Sequence, residues 1–151
     1  MRKVLVPLSI LLLLALDQVV KFWVVAQISL GQLRTFLPGL VSLTYLRNYG
    51  AAFSMLQNQQ ILFFLVTFVV IGGAVYYLYK QLNGSWWQIW GLVLIIAGGL
   101  GNFVDRLRQG YVVDMFQFDF VEFAIFNVAD IYLTFGVLLL LLVFWREENE
   151  N

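Results

Sequence analysis

The sequence predicts an α-helical integral membrane protein built on four transmembrane helices. Two observations carry this reading. Hydrophobic residues make up 62% of the 151-residue chain and charged ones 12%, whereas a soluble domain carries about a quarter charged residues. The apolar residues also fall in four long runs, each close to the roughly 20 residues needed to cross a hydrocarbon core. One domain is the natural count for this length. Nine basic and nine acidic residues cancel, so no basic footprint marks a nucleic-acid partner. Neither cysteine nor histidine occurs. Thiol nucleophiles, His-based acid–base work and most zinc sites drop out with them, and no metal or cofactor is expected. Any chemistry must use carboxylates, hydroxyls, lysine or arginine.

The first run, residues 4–25, is interrupted by Asp17, Gln18 and Lys21. Its M-R-K start resembles a signal peptide, but no small-residue cleavage site follows and three further spans do, so it is read as a retained helix. Residues 27–60 form a long connection in which V-S-L-T-Y-L-R-N alternates as a strand does. The second span, 61–79, has no charge and ends in Tyr76, Tyr77 and Tyr79. The third, 86–104, opens with Trp86, Trp87 and Trp90 after the turn Q-L-N-G-S. Such aromatic clusters suit the headgroup level, and a turn this short makes these spans an antiparallel hairpin. Residues 107–124 include Y-V-V-D-M-F-Q-F-D-F, strand-like and unusually apolar for a connection. It is expected to lie against the membrane surface or to cap the bundle. The fourth span is 125–145. Arg2, Lys3, Lys80 and Arg146 fall on one side and Lys21, Arg34, Arg47, Arg106 and Arg108 on the other. Counting basic residues therefore gives no orientation, although the N-terminal Arg-Lys pair favours termini inside.

The polar residues converge at one depth. With the termini and the 81–85 turn on one side, Asn102 lies sixteen residues along its span, about 24 Å from that side at 1.5 Å per residue. Asp17 lies about 20 Å up by the same measure. Asn127 and Asp130 open the fourth span at the far side, and Asn48 and Asp114 come from the far-side connections. Each has a bland reading. Asp17 and Lys21 are spaced to pair along one helix while Lys21 snorkels. Asn127 and Asp130 could be a helix cap with its third-position acid. The glycines of G-G-L-G-N-F-V-D-R could be a close-packing surface. Asn102 and Arg106 face one way, Asp105 another, and Asp119 and Glu122 read as solvated or interfacial charges. Together, however, ionisable groups inside a membrane point to a cavity or a partner, because an Asp at mid-bilayer costs about 2.5–3.5 kcal/mol. Two carboxylates sharing a site share a proton. Such a pair can activate water while polarising a peptide carbonyl. Proton-coupled transport through Asp17 and Asp130 would use the same groups, and residue types do not separate the two.

The ordered motifs do more. D-Q-x-x-K at 17–21, R-N-Y-G-A-A-F at 47–53, G-G-L-G-N-F-V-D-R at 98–106, V-V-D at 112–114 and F-N-V-A-D at 126–130 resemble, over essentially the whole chain, the bacterial lipoprotein signal peptidases (signal peptidase II). The G-x-G-D signature of other intramembrane aspartyl proteases is replaced here by G-L-G-N. The resemblance implies a membrane aspartic endopeptidase that cleaves prolipoproteins before the diacylglyceryl-modified cysteine, with Asp114 and Asp130 as catalytic dyad. Residue types alone do not choose Asp114 over Asp105 or Asp119. It further implies that Asn48, Gly50, Gly98, Asn102, Arg106 and Asn127 form the pocket, and that Asp17, Lys21 and Asp105 support it. Met115 departs from the family's usual Phe after V-V-D. Also implied are a small extracytoplasmic β-like platform at 41–48 and a short, mobile, amphipathic helical flap at 50–60. The expected setting is the bacterial inner membrane, with both termini cytoplasmic and the site towards the extracytoplasmic side. The expected partners are membrane lipid, the lipid-modified prolipoprotein and globomycin-type cyclic peptide inhibitors, with the chain itself monomeric.

Overall fold

The computed structural model describes residues 1–50 and 59–149; most of the stretch expected as a flap lies outside them. Among the described residues, four helices are long and apolar enough to cross a membrane. They are α1 (Arg2–Gln27), α2 (Gln60–Lys80), α3 (Trp86–Gln109) and α4 (Val128–Asn149), and three strands lie between them: β1 (Leu33–Leu37), β2 (Val41–Asn48) and β3 (Val112–Phe118). Of the apolar window of α3, 56% is buried, against 11% in each of the other three helices. The third helix is therefore the axis around which the others stand. Residues such as Leu11, Phe22, Phe68, Val69 and Leu141 point outward, as a lipid-facing surface requires.

Lipid tails are as apolar as leucine, so helices in a membrane are held by close packing rather than by hydrophobic exclusion. The sequence meets that need with glycine where α3 faces α4. A Cβ on Gly136 would stand 2.8 Å from the Gly91 carbonyl oxygen, and one on Gly98 would collide with the Ala129 carbonyl. Val6, Ala74, Leu78, Ile89, Val93 and Ile96 fill the half of the bundle nearest the termini. There Arg2 donates to the carbonyls of Leu82 (3.0 Å) and Gly84 (2.9 Å), placing the N-terminus beside the α2–α3 turn.

At the opposite end the strands form an antiparallel sheet in the order β1-β2-β3. Leu46 pairs with Asp114 and Asn48 with Val112. Val24 of α1 and Ile28 just beyond its end pack with Tyr45, Val113 and Met115, so the apolar connections cap the bundle as one of the two expectations had it. Met115 is fully buried in that cluster. Strand β1 has no counterpart in the sequence reading, because all five of its residues are exposed and carry no burial alternation. Several helix limits also differ from the hydropathy reading, and two of them bear on the site. Helix α3 runs on through Asp105, Arg106 and Arg108 to Gly110, whose left-handed φ of 77° ends it. Helix α4 starts later, because Phe126 bridges to Phe116 and Asn127 is occupied as a cap.

Candidate active site

Helix α4 begins with a reciprocal cap. The Asn127 side-chain oxygen accepts from the Asp130 backbone N–H (3.0 Å), and the Asp130 carboxylate accepts from the Asn127 N–H (3.1 Å). This is the capping box that the spacing suggested, and it fixes Asp130 at the mouth of a cavity of about 600 Å³. The cavity is also lined by Asn48, Asn102, Arg106, Asp114 and Asn127. Six residues singled out from sequence thus meet around one space. Their helix, strand and loop origins are separated by up to 82 positions of chain, from Asn48 to Asp130.

The two carboxylates are joined through amides. The Asn127 Nδ2 donates to Asp114 Oδ1 (2.6 Å) and to Asn102 Oδ1 (3.1 Å), while the Asn102 Nδ2 donates to Asp130 Oδ1 (2.7 Å). Asn48 Nδ2 donates to the other Asp114 oxygen at 2.8 Å. The amide oxygen of Asn48 accepts from the Gly50 N–H. Every amide presents nitrogen to a carboxylate and oxygen to a donor, so the chain of bonds has one sense. Asp114 is only 1% exposed. Burial, and then the neighbouring Asp130 charge, push its carboxyl from the usual 3.8 up to about 7, against the lowering effect of the Asn127 and Asn48 hydrogen bonds.

Arg106 reaches the same cavity from α3. Its Nη2 donates to the Gly50 carbonyl (3.0 Å) and its guanidinium lies 4.5 Å from the Phe63 ring centre. Its buried Nε has no hydrogen-bond partner among the described residues. Asp17, Lys21 and Asp105 do not line the cavity. The Lys21 ammonium instead bridges Asp17 (3.0 Å) and Asp105 (3.1 Å), and donates to Asn102 Oδ1 at 3.1 Å. The spacing suggested that Lys21 snorkels to the surface, but it is 3% exposed. Two buried carboxylates hold it inside. Gly50 contributes backbone groups and Gly98 lets α4 approach; neither lines the space. Asp119 and Glu122 are exposed, as read. Sequence reasoning passed over the aromatic wall of Phe118, Phe123 and Phe126. The unusual apolarity of residues 107–124 was its only signal.

The family model for Signal peptidase (SPase) II matches residues 9–146. The chain belongs to the signal peptidase II family. A lipoprotein signal peptidase of Streptococcus agalactiae serotype V is 60% identical over 151 residues, covering 100% of this chain and 98% of the relative. One from Streptococcus pneumoniae is 57% identical over 147 residues, or 97% and 96% of the two chains. A solved bacterial membrane enzyme superposes with a TM-score of 0.90 at 30% identity, over 97% of this chain and 90% of the other. As a signal peptidase II the molecule is a multi-pass membrane protease. Of the two chemistries that residue types left open, proteolysis is therefore the one this family performs.

Proposed function

We propose that this signal peptidase removes the signal peptide from prolipoproteins, cleaving before the diacylglyceryl-modified cysteine by an aspartic mechanism. The observation that carries the reading is the meeting of Asp114 and Asp130 on one cavity, linked through Asn127 and Asn102. A carboxyl near 7 beside a second carboxylate lets the pair hold one proton at neutral pH. The ionised member takes a proton from water as the water oxygen bonds to the scissile carbonyl carbon. The protonated member gives its proton to the carbonyl oxygen. The resulting diol collapses when one hydroxyl returns a proton to the dyad and the dyad protonates the departing amine. The C–N bond breaks, and one proton again resides on the pair.

Substrate chemistry fits the surroundings. Phe118, Phe123, Leu133 and Phe135 give the cavity apolar walls suited to a lipid-bearing peptide. Arg106 and Asn48 offer donors beside the dyad for peptide carbonyls. Globomycin-type cyclic peptides would compete for the same space. The proposed orientation puts both termini in the cytoplasm and the sheet outside the inner membrane, with one chain sufficient for activity. The test is cleavage of a lipidated prolipoprotein by purified protein in detergent. Asp114→Asn and Asp130→Asn, made separately, should each lower kcat by about 10²–10⁴-fold while staying folded. Near-normal turnover by either variant would sink the dyad assignment.

A further inference from the structure

Four polar side chains sit beside the cavity without lining it: Asp17, Gln18 and Lys21 on α1, and Asp105 on α3. Their outward bonds have a shared pattern. Asp17 Oδ1 accepts from the backbone N–H of Ala129 (3.0 Å), the residue just before Asp130. Asp105 Oδ2 accepts from the backbone N–H of Val113 (3.0 Å), the residue just before Asp114. Each carboxylate thus grips the chain one position ahead of a proposed catalytic aspartate. The two arms stand on different helices, so something must fix the distance between them. Lys21 bridges them and neutralises charge. Gln18 bridges them without charge. Its Nε2 lies 3.2 Å from Asp17 Oδ2 and 3.0 Å from Asp105 Oδ1, with the Gly101 carbonyl oxygen at 3.3 Å.

A neutral amide cannot be there to balance the carboxylates; one ammonium already stands between them. What it adds is a pair of directed hydrogen bonds of fixed reach, tying α1 to α3 at the level where both arms leave. We propose that Gln18 is a positioning residue, the strut between the Asp17 and Asp105 arms that sets the separation of Asp114 and Asp130. The proposal rests on the reading of those two as the dyad. Small displacements at a reacting pair are expensive: about 1 Å can lower a rate 10²-fold. Carboxylates that share a proton are also coupled through their separation. Loss of the strut therefore changes both the rate and its pH dependence, while the substrate-binding walls stay as they were.

The experiment measures kcat, KM and the pH profile of prolipoprotein cleavage for Gln18→Leu and Gln18→Asn, with Asp114→Asn alongside. Leucine removes the donors and suits a lipid-embedded helix. Asparagine keeps the polarity but is one methylene too short to span both arms. The expected result for each is a kcat lowered by about 10–100-fold, a KM within about twofold of the unsubstituted enzyme, and a displaced pH–kcat profile. A role confined to helix packing would lower the folded fraction without moving that profile. If Gln18→Leu does not purify folded, the Gln18→Asn profile decides. An unmoved kcat and profile in the folded variants overturns the strut, even with Asp114→Asn inert. An active Asp114→Asn overturns the dyad reading on which it rests.

Discussion

At the end of the bundle that carries both termini, α3 and α4 meet through Gly91 and Gly136, with Ile89, Val93 and Leu78 around them. At the other end the same helices meet across Asn102, Asn127 and Asp130, backed by a buried lysine and two more carboxylates. The first contact is close packing, the currency of stability between helices in lipid. The second is a hydrogen-bonded network in which every buried polar group needs its partner. The half near the termini can change shape only by clashing, whereas the half under the sheet can fail by losing a single proton donor. Substitutions should therefore separate into two kinds, and the following ones test that separation.

Outside the two aspartates, the largest effect belongs to Asn127. It is fully buried and performs two tasks, capping α4 with its oxygen and joining the carboxylates with its nitrogen. Asn127→Ser keeps an oxygen able to cap but removes both amide bonds. Turnover of lipidated substrate should fall by about 10²–10³-fold, with the thermal midpoint lowered by only a few degrees. Asn127→Ala loses the cap as well, and should unfold earlier by the roughly 1 kcal/mol that a cap contributes. Equal turnover in Asn127→Ser and the unsubstituted enzyme would show that the amide link is mere packing.

The same dual use explains what could be read in the sequence. The four spans are legible because hydropathy is a one-dimensional property, β2 because it alternates, and β3 because its run is strand-like and unusually apolar for a connection. Asn127 and Asp130 announced themselves as a cap, and the cap is there. Asp114 did not, because Asp105 and Asp119 stand near it in sequence and residue type does not separate them; the sheet, in which Asp114 pairs with Leu46, brings it to the cavity. Gln18 stands within the D-Q-x-x-K motif but shows no role there, since its partner Asp105 is 87 positions away. The helix limits slipped where polar function overrides hydropathy: Arg106 must be helical to reach the cavity, although its charge looks like the end of a span.

In the packed half a substitution should act on stability alone. A side chain at Gly136 meets the Gly91 carbonyl and Ile95, both at 2.8 Å from the first added carbon, and backbone cannot step aside. Gly136→Val should cost about 1–3 kcal/mol by overpacking, lowering the thermal midpoint in detergent by roughly 3–10 °C. Below that midpoint, kcat should stay within about twofold. A tenfold fall in kcat with unchanged stability would mean that the two halves are mechanically coupled and the division drawn above is wrong.

The smallest effect has the most telling sign. Asp114 is buried beside Asp130, and its carboxyl is raised from 3.8 to about 7. The folded protein therefore keeps this proton at pH values where an unfolded chain has released it. Between about pH 4 and 7 the folded state binds more protons, so this group's contribution to stability falls as pH rises through that window. Below the window both states are protonated and the penalty vanishes; above it the penalty is complete. Asp114→Asn removes the titration, so the thermal midpoint of the inactive variant relative to the unsubstituted protein should rise by a few degrees between about pH 5 and pH 8. The exchange of an acceptor for an amide NH2 beside Asn127 and Asn48 adds only a constant offset at both. A difference of the same size at both pH values would trace it to packing. A gap that opens with pH would trace it to the strained carboxylate, the opposite outcome to Gly136→Val, where stability is lost and chemistry is kept.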